Sequence, residues 1–157
     1  MCTIFCNRCP KNENGFINPA AGMCYEEYQA WLLKNEANAL KTEVEDGWKV
    51  PQSTYWLYVD GRPVGIGKLR HCLTERLRQE GGHIGYAIAP EARGQGYGRL
   101  LLKGLLAEAR TRGIHRALVT VHNNDNPASI RVALSCGGVV GEVNDERYLI
   151  WLDTSEA

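Results

Sequence analysis

The stretch from Gly82 to Gly113, GHIGYAIAPEARGQGYGRLLLKGLLAEARTRG, constrains the fold more than any other part of the chain. His83 to Ala89 is a β-rich run that Pro90 must end, because proline has no N–H to give a sheet. Gly98 to Arg112 places Leu101, Leu102, Leu105 and Leu106 on one face of a helix, and Gly113 stands where a helix C-cap is expected. Between strand and helix, Gly94, Gly96 and Gly98 lead straight into the helix N-terminus. Glycines let the backbone approach a ligand with its N–H groups outward, and the helix end adds about half a positive charge. A phosphate or pyrophosphate is the expected occupant.

The flanking segments extend the pattern. Lys11 to Ala21 is rich in Asn, Gly and Pro and reads as loop, while Tyr25 to Leu40 places Tyr25, Tyr28, Leu32 and Leu33 on one face of an amphipathic helix. KTEVEDGWKVPQ reads as an acidic loop. Thr54 to Asp60 and Val64 to Leu69 flank Asp60-Gly61-Arg62-Pro63, a hairpin signal. Thr74 to Gln79 is a polar excursion before the third strand. After the long helix come a buried strand (Arg116 to Val121), a short helix begun at Pro (Pro127 to Cys136) and a last strand pair (Val139 to Val143, Tyr148 to Leu152). Strands and helices alternate from Gly82 onward, which predicts an α/β layered fold. The 157 residues suit a single domain, 1–157.

Composition narrows the partners. Lys plus Arg equals Asp plus Glu at 18 each, so no net field draws the chain to nucleic acid or an anionic membrane. No apolar run approaches the roughly 18 to 20 residues that span a bilayer, and no signal peptide opens the sequence, so a cytoplasmic location is expected. Cys24, Cys72 and Cys136 are scattered singly and read as small buried hydrophobes.

The glycine loop departs from two common phosphate loops. Gly98-Arg99-Leu100 supplies neither the Lys nor the hydroxyl of a P-loop, and Thr120, Val121 and His122 stand where a dinucleotide fold wants an acidic residue. Arg93-Gly94-Gln95-Gly96-Tyr97-Gly98 instead matches [Q/R]-x-x-G-x-[G/A]. With the strand ending in Pro, the leucine helix, ALVTV, and Asn126 followed by Ser129, the chain resembles the GCN5-related N-acetyltransferase (GNAT) superfamily. It is similar in particular to a branch of predicted acetyltransferases, through Asn14-Gly15-Phe16-Ile17-Asn18-Pro19, Tyr55-Trp56-Leu57, Leu69-Arg70-His71, Gly81 to Tyr86 and Cys136-Gly137-Gly138. The likeness covers roughly residues 14 to 153.

The resemblance implies a central mixed, mostly antiparallel sheet flanked by helices, with a shortened or atypical N-terminal strand and helix in residues 1–13. It implies acetyl-CoA as cosubstrate, a primary amine as acceptor and direct attack in a ternary complex. The pantetheine arm would lie at Ile88 and Ala89. Its pyrophosphate would meet the N–H groups of Gly94, Gln95, Gly96, Tyr97, Gly98 and Arg99, with Arg93 positioned by the loop, and Asn126 and Ser129 would stand near the arm.

An amine must shed its proton before attack, and an imidazole with a pKa near 6.5 can take it at neutral pH. His83 matches the family's base position if a one-residue bulge is allowed, with a strand-edge structural role as its alternative, and His71 is the second candidate. Many relatives carry a proton-donating Tyr seven residues after the Asn, where this chain has Ala133, leaving Ser129, Ser135 or water as substitutes. The acceptor cleft would lie near Tyr25, Tyr28, Asn144, Asp145 and Glu146, whose carboxylates suit a cationic amine. Dimers are common for this fold, and a shortened first strand leaves an edge to cover, so a homodimer is expected.

Cys2, Cys6 and Cys9 read C-x₃-C-x₂-C, which resembles the cluster motif of radical S-adenosylmethionine enzymes. Such chemistry needs a barrel of roughly 200 residues, and most of this chain is committed elsewhere. A zinc site with Cys24 lacks a second C-x₂-C pair, so no metal is expected and the cysteines read as terminal-strand residues or free thiols. Two alternatives accompany the enzyme: an acyl-CoA-binding module with little or no turnover, motivated by Ala133 and the shortened N-terminus, and a metal-binding protein built on the N-terminal cysteines.

Overall fold

The computed structural model describes residues 11–13, 16–41, 47, 49–123 and 126–155. Cys2, Cys6 and Cys9 and half of the acidic loop, residues 42–46 and 48, lie outside them. In chain order the elements are β1 (Asn12–Glu13), β2 (Phe16–Ile17), α1 (Tyr25–Leu40), β3 (Gln52–Val59), β4 (Arg62–Arg70) and α2 (Glu75–Gln79). There follow β5 (Ile84–Ile88), a 3₁₀ turn (Pro90–Ala92), α3 (Tyr97–Thr111), β6 (Arg116–His122), α4 (Pro127–Ser135), β7 (Val139–Val143) and β8 (Arg147–Asp153).

The strands form two three-stranded antiparallel halves, β3-β4-β5 and β6-β8-β7, beside the small β1-β2 pair. Helix α3 packs across them. Leu101, Leu102, Leu105, Leu106 and Ala109 are buried against Leu69 and Ile84 of one half and Val119, Val121, Ile150 and Leu152 of the other. Each such leucine stabilises by roughly 1.5–3 kcal/mol, so this one helix joins the halves through a common core.

The halves touch where β5 begins. His83 N–H donates to the Leu118 carbonyl at 2.8 Å, and Leu118 N–H donates back to His83 Nδ1 at 3.0 Å. Nearby, Gly81 N–H donates to Thr120 Oγ1 at 3.0 Å. A Cβ on Gly82 would sit 2.5 Å from the Leu118 carbonyl oxygen, so only glycine permits this approach. Past this point β5 and β6 are not laddered, and the sheet opens between them.

Four expectations need correction. Lys11 to Ala21, read as loop, carries the short paired strands β1 and β2. Of the predicted apolar face of α1, only Tyr28 is buried; Tyr25, Leu32 and Leu33 are exposed at 62%, 41% and 67%. The helix docks instead through Tyr28 and Trp31, whose rings meet at 5.6 Å, with Tyr28 also edge-on to Trp56. Asn35 is held by Thr54 and by the Trp31 carbonyl. Large aromatic surface and a satisfied amide outweigh the two leucines. The polar excursion contains α2, begun by the Thr74 hydroxyl accepting from Leu77 N–H and anchored by fully buried Leu77. Finally, Cys24 is exposed and Cys72 and Cys136 are only partly covered, so none is a fully buried core residue.

Candidate active site

The opening between the half-sheets leads to two cavities. The larger, about 610 Å³, runs from the glycine loop to α4 along one side of β5. Its wall includes Ile88, Arg93, Gly94, Gly96, Tyr97, Gly98 and Arg99. Gly94 (φ 74°) and Gly96 (φ 81°) hold the left-handed backbone that turns the loop's amides outward. The first backbone bond of α3 closes from Leu100 N–H to the Gly96 carbonyl at 3.1 Å. The N–H groups from Gly94 to Arg99 have no backbone acceptor among the described residues. Together with Arg93, Arg99 and Arg131 on the wall, they make an electropositive mouth.

Two of the predicted loop and strand residues are absent from this wall: Gln95 and Ala89. Ala89 is 2% exposed and gives its N–H to the Val64 carbonyl. Arg93 turns back, donating from Nε to the Ile88 carbonyl at 3.1 Å and from Nη2 to Glu13, so it braces the loop. Alternation along an antiparallel strand then leaves Tyr86 and Ile88 as the residues whose backbone faces the opening, with the Ile88 carbonyl already engaged.

Asn126 caps α4, its Oδ1 accepting from Ser129 N–H at 3.1 Å, and both residues line both cavities. Ala133 is fully buried in the core between α4 and its neighbours, leaving no space there for a tyrosine.

Tyr86, which the sequence did not single out, also lines both cavities. Its hydroxyl is buried with no hydrogen-bond partner of normal geometry among the described residues. Burial lifts its pKa to about 12, opposed in part by the nearby Ser129 hydroxyl. A buried polar atom without a partner is rare in a folded protein, and this one, lining both cavities, is positioned to meet a ligand or a water. The available signal was its place in Gly81 to Tyr86, two residues from the strand's end.

The two predicted bases stand elsewhere. His83 is 7% exposed, lines neither cavity, and spends Nδ1 on Leu118. Burial, and then the Arg70 charge, push its pKa down to about 4, so it holds no proton at neutral pH and is too weakly basic to take one. His71 lies at the far end of β4, its Nε2 2.8 Å from Ser53 Oγ, and burial followed by the Arg112 charge lowers its pKa. It lines neither cavity. The geometry favours the structural alternative for both.

The smaller cavity, about 180 Å³, lies against Phe16, Ile17, Lys68, Arg70 and Arg147. None of Tyr25, Tyr28, Asn144, Asp145 or Glu146 lines it. Asn144 instead orders the turn into β8, its Oδ1 accepting from Glu146 and Arg147 N–H. The charged residue that this turn presents to the cavity is therefore an arginine.

A split sheet with an amide cradle at its mouth is the geometry that an elongated ligand with an anionic end fits. The profile of the acetyltransferase (GNAT) family matches residues 21–137. The chain belongs to that family and is an acyltransferase. It is similar in fold to a GNAT-family acetyltransferase from Streptococcus pneumoniae (19% identity, 96% of this chain and 89% of that one, TM-score 0.62). It is also similar to Mycobacterium smegmatis RimJ in complex with CoA-disulfide (19%, 86% and 68%, TM-score 0.65). A third likeness is to Campylobacter jejuni N-acetyltransferase PseH in complex with acetyl coenzyme A (13%, 83% and 80%, TM-score 0.58). No curated protein sequence matches the chain.

Proposed function

We propose that the protein is an acetyl-CoA-dependent N-acetyltransferase, a single catalytic domain acting on a primary amine by direct transfer in a ternary complex. The observation that carries this reading is the unpaired amide cradle of Gly94 to Arg99 at the mouth of a cleft that Tyr86 and Ser129 also line. The donor set fits: free amides, a helix N-terminus and arginines suit a pyrophosphate, and a long, narrow opening suits the arm. Bound acetyl-CoA supplies an acetyl thioester and a thiolate leaving group.

The chain's own groups then divide the work. Gly94 to Arg99 hold the phosphates, while Arg93 braces the loop through Ile88 and Glu13. Tyr86 and Ile88 present the backbone along which the arm is aligned. Tyr86 keeps its proton at neutral pH, and its hydroxyl can donate to sulfur as the C–S bond breaks and the C–N bond forms. It thus takes, from β5, the part that Ala133 leaves vacant on α4. The amine's proton leaves to water, because His83 and His71 are engaged in structural bonds. The reading includes a cytoplasmic location. It also includes a homodimer, supported by Val139, Val140 and Val143 exposed on edge strand β7 and tested by sedimentation.

The first test is thermal unfolding with and without saturating acetyl-CoA, followed by CoA-thiol release over an amine panel. At 100 times Kd the ligand adds about 2.7 kcal/mol, a rise in Tm of roughly 5 to 10 °C. No rise in folded protein would sink the reading. A rise without thiol release from any amine would leave a binding module instead.

A further inference from the structure

The smaller cavity lies across the opening from the cofactor cleft and shares Phe16, Tyr86, Asn126 and Ser129 with it. Three cations line it, Lys68 and Arg70 of β4 and Arg147 of β8, and no carboxylate among the described residues does. Lys68 Nζ donates to the Ile17 carbonyl at 2.6 Å and lies 4.9 Å from the centre of the Phe16 ring. Arg70 Nη1 donates to the Gly81 and Gly82 carbonyls, both at 3.1 Å. Arg147 meets Glu80 at 3.3 Å, a carboxylate that is 54% exposed. Backbone carbonyls and a ring face satisfy donors without neutralising charge, so the cluster stays short of anions on its cavity side.

That shortage is costly. Burial pulls the Lys68 pKa down to about 8, with the Arg70 charge adding to the effect, and burial lowers Arg70 as well. Like charges gathered in a half-buried cavity repel one another, and such an arrangement suits a site that meets an opposite charge. The cofactor's phosphates do not explain it, since the amide cradle, Arg99 and Arg131 belong to the larger cavity.

We propose that the acceptor is a small amine carrying an anionic group, a carboxylate or a phosphate, which Lys68, Arg70 and Arg147 hold while its nitrogen reaches the acyl group past Tyr86. This deepens the N-acetyltransferase reading and rests on it. Charge-assisted bonds to the anion orient the amine, and the same cations repel polyamines. Transfer balances within the pair of substrates: the new C–N bond replaces the C–S bond, the amine loses one proton to water, and the thiolate gains one.

Matched acceptors test the idea: phenylalanine against phenethylamine, and phosphoethanolamine against ethanolamine, with spermidine as the cationic extreme. Acetyl-CoA binding is measured first by calorimetry; if it fails, the enzyme reading itself falls and this one with it. With binding present, the anionic member of at least one pair should have the higher kcat/KM by about tenfold or more, and the responding pair distinguishes carboxylate from phosphate. Lys68→Met should raise the acceptor KM about tenfold, leave acetyl-CoA affinity unchanged and raise Tm, and Arg147→Gln provides a second variant with the same KM effect. Equal or better use of a neutral amine or spermidine, no turnover of any anionic member, or acetylation of Lys68 itself by acetyl-CoA alone would each overturn the proposal.

Discussion

His83, just before β5, and Tyr86 within it lie three residues apart and have opposite fates that the sequence does not separate. His83 faces Leu118 and fills a gap in the backbone pairing with its ring nitrogen, whereas Tyr86 faces the opening with its hydroxyl unmet. Tyr86→Phe should lower kcat roughly 10- to 100-fold with little change in acetyl-CoA affinity, as single-turnover kinetics and calorimetry would show. An unchanged kcat would assign protonation of sulfur to water. His83→Ala removes the acceptor for the Leu118 amide and should cost roughly 1–3 kcal/mol of stability in urea unfolding. The family likeness nominated His83 through its place at the start of the third strand; its hydrogen-bond partner, 35 residues away, gives it a structural role that the local sequence does not show.

At the scale of elements, α3 and its loop were legible in the sequence because leucine periodicity, three glycines and a terminal Pro all act locally. α1 was legible as a helix, but its buried face was not, because Tyr28, Trp31 and Asn35 are chosen by Trp56 and Thr54 on another element. α2 is held by one capping hydroxyl and one buried leucine, too short a signal for periodicity. The loop carries its own prediction. Gly96→Ala places a Cβ on left-handed backbone, costing about 1–2 kcal/mol where the surroundings are otherwise open. Acetyl-CoA affinity should fall about tenfold as the cradle relaxes away from that φ, since each 1.4 kcal/mol is a factor of ten. Unchanged affinity would move the phosphate site elsewhere.

For the whole molecule, pH dependence follows from groups whose charge the fold disfavours. His83 titrates near 4 when folded and near 6.5 when unfolded, so the unfolded chain binds the proton first. Stability should be constant just above pH 6.5 and fall as pH drops from 6.5 to 4, with His71 acting in the same direction. Lys68 has the same form at higher pH: folded near 8 and unfolded near 10.5, it makes stability rise between those values. Tyr86, raised to about 12, reverses the trend above pH 10. Urea unfolding across pH should show the acid fall, and Lys68→Met should abolish the alkaline rise while stabilising the protein at neutral pH by a few kcal/mol. A variant less stable than the parent would mean that the Ile17 carbonyl and the Phe16 ring offset the cost of holding the Lys68 charge there.

The sequence by itself determined the strand–loop–helix unit, the order of the longer elements and the glycine loop at a helix N-terminus, because each is set by residues adjacent in the chain. Tertiary structure decided which face of α1 is buried, that His83 clamps two half-sheets, and that Lys68, Arg70 and Arg147 share one cavity. Those properties depend on distances between residues far apart in sequence, which no local pattern records, and the splitting of the sheet between β5 and β6 makes room for the cavities.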